Sequence, residues 1–355
     1  MDKITFAIVG GGWRSEFYLR IAAALPDRFH VAGVLLRDPQ KRLALSHRWN
    51  VRAYTDISEL EGDWSVDFTV LTVSKTAAPE WITGLTERGI AVLAETPPAP
   101  DADSLRLLRR SLSPEARIQV AEQYPLQPLH HARTALIRAG KIGEPVHVQA
   151  SVAHGYHGIS LIRQWLGHQG AVPCTISGQR LVSSVLEGRV RDKLPEAERL
   201  KESTQDLALF QFDNGQSAVL DFTYDQYFSP IRRNRLLIRG TRGEIRDSCV
   251  DYMADFRTAF SGVLQRVMTG GEGSLEPLSL EGVLWGEQWL YRNPFHPVPL
   301  TDEELAIAEL LLRMGQYAKG ETGAAYSFQE AAVDTELAFC MEQALATRAP
   351  VRFEA

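Results

Sequence analysis

The segment Ile4–Val9 runs straight into three consecutive glycines, Gly10, Gly11 and Gly12, and the chain then turns helical over residues 15–25. An apolar run, a glycine turn and a helix in that order leave few folds open. The pattern repeats without the glycines. Apolar runs at 30–35, 68–73, 90–94 and 118–121 alternate with helical patterns at 39–49, 80–88 and 103–112. Runs that are continuously apolar are the mark of strands buried on both faces. Such strands run parallel and need helical crossovers. The first part of the chain is therefore expected to be a doubly wound parallel sheet, α/β in class, with a Rossmann arrangement.

Beyond residue 122 the pattern changes. A helix is predicted at 129–138, ended by Gly140. Val146, Val148, Ala150 and Val152 then alternate with His147, Gln149, Ser151 and Ala153, the period of a strand with one buried face. Runs at 204–212 and 216–223 flank Asp213, Asn214 and Gly215, and runs at 235–239 and 244–246 flank residues 240–243. Both arrangements predict hairpins, since Asn and Gly accept positive φ. Residues 248–299, rich in aromatics, glycines and prolines, give no clear period. Helices return at 302–317 and 327–347. The expected division is a dinucleotide-binding domain at 1–122 and an α+β domain at 123–355, built on an open, mostly antiparallel sheet.

A chain of 355 residues suits two domains, and 45% hydrophobic with 23% charged residues is globular composition. A net charge of −6 argues against nucleic acid or an anionic membrane as partner. No apolar run approaches the ~20 residues of a membrane span. Cys174, Cys249 and Cys340 lie too far apart to suggest a disulfide framework or a CxxC metal site. Residues 1–9 carry no basic stretch or cleavage site, so a cytoplasmic setting is expected.

The glycine turn sets the chemistry. Gly10 and Gly12 fill the first two glycine positions of GxGxxG, and Ser15 stands at the third. Such a turn brings backbone N–H groups up to a pyrophosphate at a helix N-terminus. Trp13 flanks it as a reporter, and Arg14 either reaches a phosphate or lies on a solvated helix face. A carboxylate at the end of the second strand would bind the adenosine ribose. The expected position is Leu36, with Arg37 beside it, which favours NADP over NAD. Asp38 precedes Pro39 and is read as a helix cap.

These residues, with Arg37-Asp-Pro-Gln-Lys-Arg42 and Val92-Leu-Ala-Glu-Thr-Pro-Pro98, resemble the glucose–fructose oxidoreductase / inositol dehydrogenase (Gfo/Idh/MocA) family. Leu136-Ile-Arg-Ala-Gly-Lys-Ile-Gly143, Phe212-Asp-Asn-Gly215 and Ile238-Arg-Gly-Thr-Arg-Gly243 follow in the family's order. The resemblance implies an NAD(P)-dependent oxidoreductase acting on a hydroxyl or carbonyl of a sugar-like or polyol molecule. It also implies a homo-oligomer formed through the C-terminal sheet.

The family usually carries Glu-Lys-Pro after its fifth strand. Here Glu95-Thr96-Pro97 replaces it, with Glu95 near the cofactor and Thr96 able to hydrogen-bond the reacting oxygen but not to supply an ammonium charge. The family histidine falls on His157, while Ala153 replaces the carboxylate four residues earlier. An imidazole suits proton transfer near neutral pH. Tyr156, His154 and Tyr124 are its candidate assistants. Arg163 either binds substrate or ties its helix to the sheet, and His130 and His131 are read as a solvated or packed pair. Two departures from the family pattern keep two other readings open. One is a nicotinamide-assisted lyase, epimerase or hydrolase without net redox, and the other is a non-catalytic sensor.

Overall fold

The computed structural model describes residues 3–57, 59, 66–191, 193–271 and 273–354. The first elements are β1 (Ile4–Val9), α1 (Trp13–Ala24), β2 (Phe29–Leu35), α2 (Pro39–Trp49), β3 (Ala53–Tyr54) and β4 (Phe68–Leu71). They continue with α3 (Ala78–Thr86), β5 (Val92–Ala94), α4 (Ala102–Ser111) and β6 (Ile118–Val120). The six strands lie in the order β3-β2-β1-β4-β5-β6, every neighbouring pair parallel. This is the doubly wound order expected of a Rossmann sheet. Strands β4, β5 and β6 are buried throughout, which explains why they read as unbroken apolar runs.

The chain then forms α5 (Pro128–Arg138), β7 (Pro145–Ser151), α6 (Gly155–Leu166), β8 (Cys174–Leu186), β9 (Leu200–Phe212) and β10 (Ser217–Thr223). Next come β11 (Arg235–Gly240), β12 (Gly243–Arg246), β13 (Cys249–Met253), β14 (Ala259–Thr269), β15 (Ser279–Trp285) and β16 (Gln288–Arg292). Helices α7 (Asp302–Ala318) and α8 (Phe328–Thr347) and strand β17 (Val351–Phe353) close the chain. The second sheet has eleven strands, ordered β16-β15-β14-β13-β12-β11-β7-β10-β9-β8-β17. Strands β7 and β10 run parallel, while β8–β9, β9–β10, β7–β11 and β11–β12 are antiparallel. Both hairpins read from the sequence are present. Helix α6 lies close on this sheet because Gly158 has no side chain, and a Cβ there would meet Leu220 Cδ1 at 2.5 Å.

The molecule divides into two compact units. The first joins Met1–Pro128 to Val267–Gly282 and Arg292–Ala332; the second holds Leu129–Arg266, Val283–Tyr291 and Val333–Ala355. Helix α7 thus belongs with the Rossmann sheet, although it lies far along the chain. Its Gly315 packs against Ile4 of β1. The first turn of α8 adds Phe328, Ala331 and Ala332 to the core formed by Val9, Leu71, Val92 and Val120. Helix α7 opens with a capping box, in which Thr301 and Glu304 satisfy each other's backbone N–H groups. Among the described residues, no helix is long and apolar enough to cross a membrane.

Candidate nucleotide and substrate sites

The first unit's strand order reverses at β1 and β4, and the glycine turn sits there at the carboxyl ends of the strands. Gly10 donates its N–H to Leu35 O at 3.0 Å and has φ +112°, a conformation that L side chains rarely adopt. A Cβ on it would lie 2.6 Å from Thr72 O. Gly12 differs, since among the described residues its Cβ would find only Thr72 O, at 3.9 Å. The space beside Gly12 is therefore open, and α1 begins there with no side chain capping it. An uncapped helix start beside open space fits the phosphates of a dinucleotide. Ser15, in the third glycine position, is fully buried and donates its hydroxyl to Gly12 O at 2.5 Å.

At the end of β2, Leu36 is buried with its side chain packed over Gly11. Arg37 is exposed beside it. Asp38 caps α2 as read from the sequence, accepting from the N–H groups of Gln40 at 2.9 Å and Lys41 at 3.1 Å. Its carboxylate is thereby committed to the helix.

Of the two readings of Arg14, the solvated helix face does not hold, since the side chain is 12% exposed. Its guanidinium pairs with Glu95 through Nε and with Glu303 through Nη1, both at 2.9 Å, and lies 5.1 Å from the Trp13 ring. Burial opposes this charge, but Glu95, Tyr18 and Glu303 outweigh it and hold Arg14 protonated. The same Glu95 oxygen accepts from the fully buried Tyr18 hydroxyl at 2.6 Å. Burial, then the Glu95 carboxylate, keeps that phenol protonated well above its usual range. Thr96 is half-buried, and its hydroxyl makes no hydrogen bond among the described residues. Tyr124 lies in a short 3-10 turn, Tyr124–Leu126, where its N–H donates to the buried Glu122 carboxylate at 3.0 Å. Tyr18 and Glu303 were missed in the sequence. Tyr18 read as ordinary helix core, and nothing in an acidic first turn of α7 points 289 residues back to Arg14.

In the second unit, His154 is the N-cap of α6 and His157 lies in its first turn. The two rings meet edge to face at 5.3 Å, and Tyr156 packs on His157 at 5.6 Å. Tyr227 and Tyr224, from the turn after β10, complete the cluster at 5.7 and 6.0 Å from His154. His154 Nδ1 is 2.6 Å from Tyr227 Oη, and the His154 backbone N–H donates to the same oxygen at 3.2 Å. Tyr224 donates to Asp206 at 3.1 Å, and Arg180 grips that carboxylate with two bonds of 2.6 and 2.9 Å. Burial, then Asp206, pushes the Tyr224 phenol up to about 12. Asp206 was the most legible of the residues missed. It occupies an inward position of β9, the face otherwise carrying Ala208, Phe210 and Phe212.

Arg163 is 3% exposed, bonding Asp334 Oδ1 at 2.5 Å and Gly170 O at 2.6 Å. Of its two readings this geometry favours the tie, made to α8 rather than to the sheet. His130 is buried against Trp165 at 5.3 Å, the packed alternative.

Burial, and next the neighbouring His157, lowers His154 to about 4. An unfolded chain protonates this ring near 6.5, whereas the folded chain resists until about 4. Above pH 6.5 the ring is neutral in both states and makes no difference. Between the two values, protonation draws the chain toward the unfolded state. The His154 contribution should reach about 3 kcal/mol of lost stability by pH 4. His130, also lowered by burial, adds to the same trend. Urea melts from pH 7 to 4 should therefore fall less steeply for His154→Phe than for the wild type. Parallel curves would contradict a ring held neutral.

Residues 4–120 match the family model GFO_IDH_MocA, described as an oxidoreductase family with an NAD-binding Rossmann fold. The Rossmann segment belongs to the Gfo/Idh/MocA family. No curated protein matches the chain by sequence. Among solved structures, one similar fold is an oxidoreductase from Agrobacterium radiobacter, in complex with NAD+, L-tartaric acid and magnesium. It is 17% identical at a TM-score of 0.71, covering 98% of each chain. A levoglucosan dehydrogenase, in complex with NADH and levoglucosan, is 15% identical at 0.70, covering 99% of this chain and 100% of that one. The WlbA dehydrogenase from Bordetella pertussis, with NADH and UDP-GlcNAcA, is 13% identical at 0.66, covering 99% of each. At such identities the likeness establishes the fold. The family match ends at residue 120, whereas the likeness to those solved folds runs over nearly the whole chain.

Proposed function

We propose that this protein is an NAD(P)-dependent oxidoreductase acting on a hydroxyl or carbonyl of a sugar-like or polyol molecule. The observation that carries the reading is the uncapped start of α1 beside the open space at Gly12, inside the family-matched segment. The complexes of similarly folded proteins with tartaric acid, levoglucosan and UDP-GlcNAcA support the substrate class. Residues 1–122 serve the dinucleotide and 123–355 the substrate and oligomer contacts. A bound nicotinamide supplies the hydride chemistry. Gly10, Gly12 and the flanking Trp13 receive the pyrophosphate. Arg14 and Glu95 brace that turn through their ion pair, and exposed Arg37 meets a 2′-phosphate, which favours NADP. Thr96 offers a hydroxyl to the reacting oxygen. His157 is the general acid/base, supported by Tyr156 and His154, and Tyr124 is a further polar ring on the first unit.

The protein also forms a homo-oligomer through its second sheet. Leu207, Leu209 and Val263 lie 40, 39 and 48% exposed on that sheet, apolar surface of a kind that subunit contacts cover.

Titration of Trp13 fluorescence with NADPH and NADH tests the cofactor assignment. Both should quench saturably, NADPH at lower concentration. Arg37→Ala should weaken NADPH roughly 10- to 100-fold, the worth of one charge-assisted phosphate contact, and leave NADH unchanged. Preference for NADH would remove the Arg37 role while keeping the turn. Binding of neither would bring the sensor reading forward.

A further inference from the structure

Next to the His154 cluster, within the second unit, a cavity of about 480 Å³ opens between the β8–β9 arm and the turn Tyr224–Tyr227. Its volume falls in the range of about 300–1,000 Å³ that holds ligands larger than one sugar ring. Leu186 and Val190 line it while 55 and 40% exposed, and Phe228 adds an aromatic wall with the Arg191 guanidinium 5.8 Å from its ring. Tyr224 joins the cavity to the cluster, lining the one and lying 6.0 Å from the His154 ring of the other. Its bond to the Arg180-held Asp206 fixes the ring in place.

The polar groups narrow the occupant further. Asp225 is already satisfied by Ser203 and Arg232, each at 2.6 Å, and does not wait for a ligand. Arg189 and Lys201 set two cations against Glu202 at the rim, so negative charge is tolerated there. One apolar side made by Leu186, Val190 and Phe228, the Tyr224 ring and a rim carrying Arg189 and Lys201 suit an aromatic ring. We propose that this cavity is an aglycone pocket, taking the aromatic substituent of a sugar conjugate whose sugar ring lies against His154 and His157. The inference rests on the sugar-like substrate proposed above. It names the substrate class as glycosides rather than free sugars.

Calorimetric and ligand-observed NMR titrations of the full chain test it with methyl β-D-glucoside, phenyl β-D-glucoside and 4-hydroxybenzoate. Phenyl glucoside should bind at least about tenfold more tightly than methyl glucoside, as burial of a phenyl ring yields. Val190→Asp should bring the two within about twofold without weakening methyl glucoside, since it charges the wall and leaves the His154 cluster untouched. Equal affinities in the wild type would overturn the pocket. If neither glucoside binds, 4-hydroxybenzoate separates the causes. Its binding to wild type and loss in Val190→Asp would uphold the pocket and place the failure in the sugar assignment. Its failure to bind would overturn the pocket itself. A change of oligomeric state in Val190→Asp, read by sedimentation, would make the cavity a subunit contact and overturn the proposal as well.

Discussion

Asp334→Ala should destabilise the protein by about 3–5 kcal/mol, because it strands the Arg163 guanidinium in the interior. Arg163 is 3% and Asp334 1% exposed, and the 2.5 Å bond between them joins α6 to α8. Breaking a buried pair costs far more than the pair itself contributes, since the surviving guanidinium loses its counter-charge and keeps the neutral Gly170 carbonyl in its place. Replacing both members with apolar groups, Arg163→Met with Asp334→Leu, should therefore recover most of the loss. Urea denaturation of the wild type, the single variant and the double variant measures this. A double variant as unstable as the single one would show that the pair is not the source. The series also decides between the two readings of Arg163. A structural tie predicts that the double variant keeps its substrate affinity, whereas a substrate ligand predicts that the affinity goes.

His157→Ala should reduce turnover by roughly 10²–10⁴, the usual contribution of a positioned acid or base. The ring is half-buried in the first turn of α6 and makes edge-to-face contacts with both His154 and Tyr156. Cofactor affinity, read by Trp13 quenching, should stay as it is, because the glycine turn belongs to the other unit. Unchanged turnover in the variant would move the role away from His157. It would pass to His154, which meets the Tyr227 phenol oxygen with both ring and backbone.

The fold was readable where one local rule acted on consecutive residues. Strands such as Val92–Ala94 are buried on both faces and so show as plain apolar runs. Asp38 before Pro39 announced a helix start, and its carboxylate is found on the N–H groups of Gln40 and Lys41. Strand β8 escaped notice because most of its second half is exposed, leaving no apolar alternation to read. The same applies to β14, whose Ala259–Thr269 run is open to solvent at most positions. The site was legible by type and opaque by partner. Gly10 could be named from its place in the glycine turn, and the His154–His157 pair from the family resemblance. The bonds from Tyr227 to His154 and from Glu303 to Arg14 cross 73 and 289 residues, distances at which one sequence carries no pairing signal.

The membership of α7 in the first unit bears on how the protein is made. A ribosome releases Ile4 of β1 long before Gly315, the residue packed against it. Phe328 and Ala332, which pack into the core of Val9, Leu71, Val92 and Val120, emerge later still. The nucleotide-binding half is thus begun first and finished almost last. During synthesis its sheet waits with an apolar flank bare while the whole of β7 to β16 is laid down. That interval exposes the nascent chain to aggregation. A gene fragment stopped at residue 122 would make the exposure permanent, since the first unit also draws on 267–282 and 292–332.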